Sequence, residues 1–351
     1  DQMHAGRVSA LLNPVTYVVV NLGVVAVIWF GSTQVDMGFL AKGQVVALVN
    51  YMSQILVELI KLANLIVLLM RAFPSVARVQ QIMDMPWDER TYLPKEQTRQ
   101  NTDAVSYENV SFAYPDAGEM AITDIDFSVP EHGTVGIIGG TGSGKSTVLH
   151  LLNHMYDATR GKVYVFGKDV QSYDTKELTK MVGLVSQRSV LFHGSIRDNI
   201  RFGRPEVTDD MIATAIHAAQ ADNVIESKEH GMDEEILQDA RNLSGGQRQR
   251  LTIARALAGE PQILILDDSA SALDVATDAA LRKAIRALPW KPTTFIISQR
   301  ASSVMDADQI LVMDNGCIVG KGTHETLLHE NAVYQEIYYS QFPKDHADEN
   351  A

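Results

Sequence analysis

Between an apolar run, Thr134–Ile138, and a stretch of helical spacing lies Gly139-Gly140-Thr141-Gly142-Ser143-Gly144-Lys145-Ser146. This G-x-x-x-x-G-K-S pattern constrains the fold more than any other segment. Glycines permit positive φ and close approach, so successive backbone N–H groups can wrap an anionic group. A helix starting near Lys145 adds the positive end of its dipole. Lys145 can reach β and γ phosphates, and the Ser146 hydroxyl can bind Mg²⁺. Such a loop needs a strand behind it and a helix ahead, hence a mostly parallel sheet flanked by helices.

The rest of residues 104–342 fits that frame. Strand-like runs cover Val105–Phe112, Ile122–Val129, Lys162–Phe166, Val182–Ser186 and Thr294–Ser298. Ile263–Leu266 is a further apolar strand, ending in Asp267 and followed by Asp268. Asp314-Asn315-Gly316 reads as a tight hairpin turn between Gln309–Met313 and Cys317–Gly320. Helical spacing spans Asp209–Ser227, Gln249–Ala258 and Ala276–Leu288.

The first 83 residues are of another kind. Pro14–Thr33 carries no charged side chain and is dense in Val, Leu and Ile. About twenty residues at 1.5 Å rise cross a hydrocarbon core of roughly 30 Å, so this reads as a membrane helix, although a buried soluble helix can be as apolar. Gly31–Gly43 reads as a loop, and 44–83 as a second long helix. Arg7, Arg71 and Arg78 flank the pair while the loop holds only Lys42, which puts both ends on the cytoplasmic side. Asn50, Gln54 and Glu58 recur every four residues on one stripe of the second helix. Such a stripe faces either a substrate cavity or, for Glu58, an ion-pair partner at Lys61. Residues 84–103, with Pro86 and Pro94, read as a linker, and 343–351 as a disordered acidic tail.

The net charge of −13 argues against a nucleic-acid binder. The single cysteine, Cys317, excludes a disulfide framework, and the histidines lack zinc-ligand spacing. The chain opens at Asp1 with no signal peptide, which suggests a fragment of a longer protein.

Leu243-Ser244-Gly245-Gly246-Gln247, between the glycine loop and Asp267, narrows the field: the chain resembles ATP-binding cassette (ABC) proteins. The run Leu191-Phe192-His193-Gly194-Ser195-Ile196-Arg197-Asp198-Asn199-Ile200, and membrane helices ahead of the ATPase in one chain, resemble the exporters of that family. The resemblance implies the last two of six membrane helices (about 14–33 and 44–83), then an α/β P-loop ATPase domain with an antiparallel β subdomain and a helical signature subdomain. It implies ATP and Mg²⁺ as cofactors. The nucleotide would be held by Tyr114 on the adenine, by the loop from Gly139 to Ser146 with Thr147, and by Gln187 and Asp267. Taken alone, a tyrosine in this place is more often a strand-end core residue. Ser146, Gln187 and, through water, Asp267 would hold Mg²⁺. Leu243–Gln247 would close over the nucleotide of a second ATPase domain, and Ser271, Ala272, Leu273 and Asp274 would form the loop crossing to it.

Three positions depart from the family pattern. Asp268 stands where the glutamate that polarises the attacking water is usual, and Gln299 where a γ-phosphate-contacting histidine is usual. Gln238-Asp239-Ala240 replaces a Glu-Gly-Gly run. With every binding residue kept, the pattern resembles the degenerate-site subunit of bacterial heterodimeric multidrug exporters. That implies an integral protein of the bacterial inner membrane with a cytoplasmic ATPase domain, a second half-transporter as partner, and an exported drug, lipid or peptide. The alternatives are a homodimeric exporter that hydrolyses slowly, a non-transporting ATP-gated regulator, and a soluble P-loop ATPase acting on nucleic acid.

Overall fold

The computed structural model describes residues 2–84, 103–115, 117–269 and 272–342. Ser271, most of the linker 84–103 and the tail 343–351 lie outside the described residues. The chain divides into two compact units, 1–90 and 91–351.

The first unit is a helical hairpin, Gln2–Asp36 and Lys42–Met83. Its loop is shorter than Gly31–Gly43, because the first helix runs on to Asp36 and the second begins at Lys42. Pro14, which marks the start of the apolar run, lies inside the first helix. The turn closes at Gly38, whose φ is 78°. At Gly31 a Cβ would sit 2.7 Å from Val45, so the lack of a side chain lets the two helices approach there. Thr16–Asp36 is long and apolar enough to cross a membrane, with mean hydropathy 1.8.

The described residues of the second unit form three sheets. Strands β1 (Asp103–Phe112), β2 (Ile122–Pro130), β4 (Arg160–Val165) and β5 (Lys168–Asp169) form an antiparallel sheet in the order β2-β1-β4-β5. The main sheet has the order β12-β11-β3-β10-β9-β6, where β3 is Thr134–Gly139, β6 Val182–Val185, β9 Ile263–Asp267, β10 Thr293–Ser298, β11 Gln309–Asp314 and β12 Cys317–Gly322. It is parallel except for the β11–β12 hairpin. A short pair, β7 (Gly194–Ser195) with β8 (Glu235–Ile236), completes the set.

Continuous apolar runs make these parallel strands because both sheet faces are covered. Ile263, Ile265, Phe295 and Ile297 join a core with the antiparallel sheet and the helix Lys145–Leu152. Their neighbours Leu264, Leu266 and Ile296 point the other way, into a core with the helices that follow the signature. Within the first core, Tyr107 stacks on Phe127 at 4.6 Å and donates to the Val148 carbonyl at 2.6 Å. That bond ties the antiparallel sheet to the helix after the glycine loop.

Some boundaries moved. Asp209–Ser227 is two helices, Asp209–Ala218 and Asp222–Glu226, separated where Gln220 takes a left-handed φ of 55°. The helix predicted from Gln249 begins four residues earlier, at Gly245.

Candidate nucleotide site

Strand order assembles the site. In a parallel sheet every strand releases its chain at the same edge, which is where open α/β sheets bind ligands. Consecutive neighbours β3, β10, β9 and β6 release Gly139–Ser146, Ser298–Arg300, Asp267-Asp268 and Ser186–Arg188. Residues far apart in sequence thus emerge side by side.

The glycine loop is shaped by close approach. Gly139 pairs with Met313 across β3 and β11, and a Cβ on Gly139 would lie 2.1 Å from the Met313 carbonyl oxygen. Gly144 caps the helix Lys145–Leu152 with φ 96°, a conformation that suits glycine. Lys145 is buried, and its Nζ donates to the carbonyls of Gly139 (3.0 Å) and Gly140 (2.5 Å) and to Ser143 Oγ (3.2 Å). Burial lowers its pKa, and the charges of Asp267 and Asp268 push the other way. Ser146 is exposed at the helix start, and Thr141 and Gly142 form the exposed crest of the loop.

The two carboxylates at the end of β9 differ in setting. Burial and then the neighbouring Asp268 charge hold Asp267 above the usual carboxylate range. Burial also raises Asp268, while Arg300 and Lys145 oppose the rise. Asp268 has a left-handed φ of 45°, and its N–H donates to the Ile297 carbonyl at 2.9 Å. Its Oδ2 accepts from Gln187 Nε2 at 3.5 Å. The structure therefore brings Gln187 to Asp268. Gln299 is exposed, and its carbonyl accepts from Gln341 at 2.8 Å. Ser146, Gln187 and Asp267 offer oxygen donors, the ligand type a hard cation such as Mg²⁺ takes.

Beside the loop lies a cavity of about 510 Å³. Tyr114, Lys145, Ser146 and Thr147 line it together with Glu119, Met120, Asn315 and Gly316. Tyr114 packs on the core, as its strand-end reading expects, and also lines this cavity. The place of Asn315 and Gly316 in this lining was not evident from sequence. The β11–β12 turn reaches it because the Gly316 N–H donates to the Ser143 carbonyl at 3.2 Å, and the Gly316 carbonyl accepts from Thr123 at 2.9 Å. Arg300 and His150 were also missed. Only the fold brings them near the two aspartates.

The signature run has a local role as well. Ser244 caps the helix Gly245–Leu257: its Oγ accepts from the Gln247 N–H (3.2 Å) and Gln247 Oε1 accepts from the Ser244 N–H (2.9 Å). Leu243 is buried and Gly245 is open on its side-chain face. A Cβ on Gly246 would sit 3.2 Å from the Ala272 carbonyl oxygen, so the signature packs against the loop before helix Val275–Arg286. Leu273 is buried there, and Asp274 caps that helix by accepting from Thr277 N at 2.9 Å. Hydrogen bonds from Thr277 lower the pKa of Asp274. Upstream, Asp239 and Ala240 both hold left-handed φ, 58° and 50°. The backbone that glycines would suit persists without them.

On the second helix of the hairpin Asn50, Gln54 and Glu58 are all exposed. Glu58 pairs with Lys61 at 2.8 Å.

Residues 122–271 match the family described as ABC transporter. An uncharacterized ABC transporter ATP-binding protein of Mycobacterium tuberculosis is 39% identical over 343 residues, covering 97% of this chain and 59% of the relative. A fatty acid ABC transporter ATP-binding/permease protein of Mycobacterium bovis is 36% identical, covering 94% of this chain and 52% of the relative. A β-(1→2)glucan export ATP-binding/permease protein of Rhodopseudomonas palustris is 33% identical, covering 95% and 55%. The chain thus spans between 52% and 59% of the length of these curated relatives. A solved bacterial Atm1-family ABC exporter with ATP bound superposes with a TM-score of 0.72 at 29% identity, covering 97% of this chain and 60% of that one. The chain therefore contains an ABC transporter ATP-binding domain, in a fold like that of an Atm1-family ABC exporter.

Proposed function

We propose that this chain is one subunit of an ATP-driven exporter of a bacterial inner membrane, paired with a second half-transporter. Its ATPase domain lies in the cytoplasm, and the cargo is a drug, lipid or peptide; the relative named for fatty acids favours the lipid class. ATP binding closes the two ATPase domains on each other. In that closure this chain's Ser244–Gln247 completes the partner's site, and hydrolysis there resets the pair.

In its own site, Lys145 would exchange the Gly139 and Gly140 carbonyls for phosphate oxygens, and Ser146, Gln187 and, through water, Asp267 would hold Mg²⁺, which would supply positive charge against the phosphates. Turnover here is poor. The carboxylate of Asp268 sits on a stem one methylene shorter than glutamate, and about 1 Å of misplacement can cost roughly 10²-fold in rate. Gln299 can donate a hydrogen bond but cannot carry positive charge. The observation that carries this reading is the pairing of Asp268 and Gln299 with an intact glycine loop. The purified chain should bind Mg-ATP and, without a partner, turn it over very slowly. Fast turnover by the chain alone would sink the reading.

A second reading, a slow homodimer, draws on Asp268 keeping a carboxylate 3.5 Å from the Gln187 amide. Native mass spectrometry of the chain purified alone separates the two, since the homodimer needs no other subunit.

A further inference from the structure

The Tyr114 ring is held on several sides. Its hydroxyl lies 3.0 Å from His150 Nδ1 and 3.1 Å from Thr147 Oγ1. A phenol has one proton and two lone pairs, so it can donate to one partner and accept from the other. Phe112 and Tyr156 meet the ring edge-on, with centroids at 4.9 and 5.2 Å. Both hydroxyl partners stand on the helix Lys145–Leu152, three residues apart and so on one face. That helix also carries Lys145 and Ser146 at its first turn. One rigid element thus sets the distance from the phosphate end of the cavity to its aromatic wall.

From this arrangement we infer that His150 is a positioning residue for nucleotide binding: with Thr147 it fixes the Tyr114 ring against which the base stacks. The inference rests on the nucleotide reading given above and goes beyond it. An aromatic ring on a strand end, tethered by neither residue, would have to be ordered by the ligand, at a cost to affinity. A ring already anchored avoids that cost. The role concerns the base alone, so it should leave the phosphates' contribution untouched.

The test is calorimetric titration of the full chain in detergent with Mg-ATP and, separately, with Mg-tripolyphosphate. His150→Ala and Tyr114→Phe should each weaken ATP binding roughly five- to tenfold, the usual worth of a lost anchoring hydrogen bond. Tripolyphosphate affinity should stay within about twofold. His150→Asn, whose amide can take the place of Nδ1, should restore ATP affinity. The double variant should be no worse than Tyr114→Phe alone, because that change already removes the His150 contact along with the Thr147 one. Unchanged ATP affinity in His150→Ala overturns the inference, as does equal weakening toward ATP and tripolyphosphate, which marks a merely structural role. If the unmodified chain binds ATP no more tightly than tripolyphosphate, the base-binding reading itself fails, and the role of His150 with it.

Discussion

On the reading proposed above, the two departures from the family pattern, Asp268 and Gln299, are chemically unequal. On that reading Asp268 keeps a carboxyl group and the company of Gln187, Arg300 and Lys145, and lacks only reach. Gln299 retains reach but has lost titration, the property that lets a histidine carry charge near neutral pH. Correcting one leaves the other limiting. Asp268→Glu with Gln299→His should raise ATP turnover at this site by roughly 10- to 100-fold, and either change alone by much less. Steady-state phosphate release from the assembled transporter checks this; no gain in the double variant would mean that the loss lies elsewhere. A short stem is legible in sequence, but its surroundings are not. The charges around Asp268 come from segments that only the sheet order brings together.

Among the elements, the helix Gly245–Leu257 shows how a functional motif can hide a structural one. LSGGQ reads from sequence as a surface for a partner, and the helical spacing after it starts at Gln249. Ser followed three residues later by Gln is also a capping box, and here it starts the helix at Gly245. Ser244→Ala should therefore cost about 1 kcal/mol of stability, measured by denaturant unfolding, apart from any effect on turnover. The next element has a different sensitivity. Asp278, on helix Val275–Arg286, is buried, accepts from Ser303 Oγ at 3.2 Å and lies 3.5 Å from Arg282. Burial nonetheless raises its pKa above the ordinary value. The folded state then holds this proton more tightly than the unfolded one. Its contribution is full below the ordinary aspartate pKa and is lost as pH rises through the raised value. Asp278→Asn should gain less stability than the unmodified chain as pH falls from neutrality towards the ordinary aspartate pKa of about 3.9. Equal gains in the two proteins would show that other carboxyls carry the effect. Strand positions were legible because apolar runs bounded by turns leave little choice. The break at Gln220 and the left-handed pair Asp239-Ala240 were not, because tertiary packing imposes those φ values against residue preference.

At the scale of the whole molecule, the arrangement proposed above separates two parts of one chain that a self-contained enzyme would unite. The glycine loop serves this chain's nucleotide and the signature serves the partner's, so damage to each should have different consequences. Gly246→Asp puts a carboxylate where donors must face a γ-phosphate, adding like charge, and should abolish most ATPase activity of the pair. Its Cβ would also sit 3.2 Å from the Ala272 carbonyl oxygen, a tight contact within this chain. Gly246→Ala carries the same Cβ without the charge, and its activity sets the share of the loss due to crowding alone. Lys145→Ala should weaken nucleotide retention at this chain's site and reduce total turnover only in part, because the partner's site keeps its own lysine and receives an intact signature. The three variants, each assembled with an unmodified partner and compared by ATPase rate and by retained nucleotide, test the division of labour directly. If Lys145→Ala silences the pair as fully as Gly246→Asp, the two sites turn over alike and the asymmetric mechanism fails. If Gly246→Ala already abolishes activity, the loss belongs to packing between the signature and the loop at Ala272, and the charge argument falls.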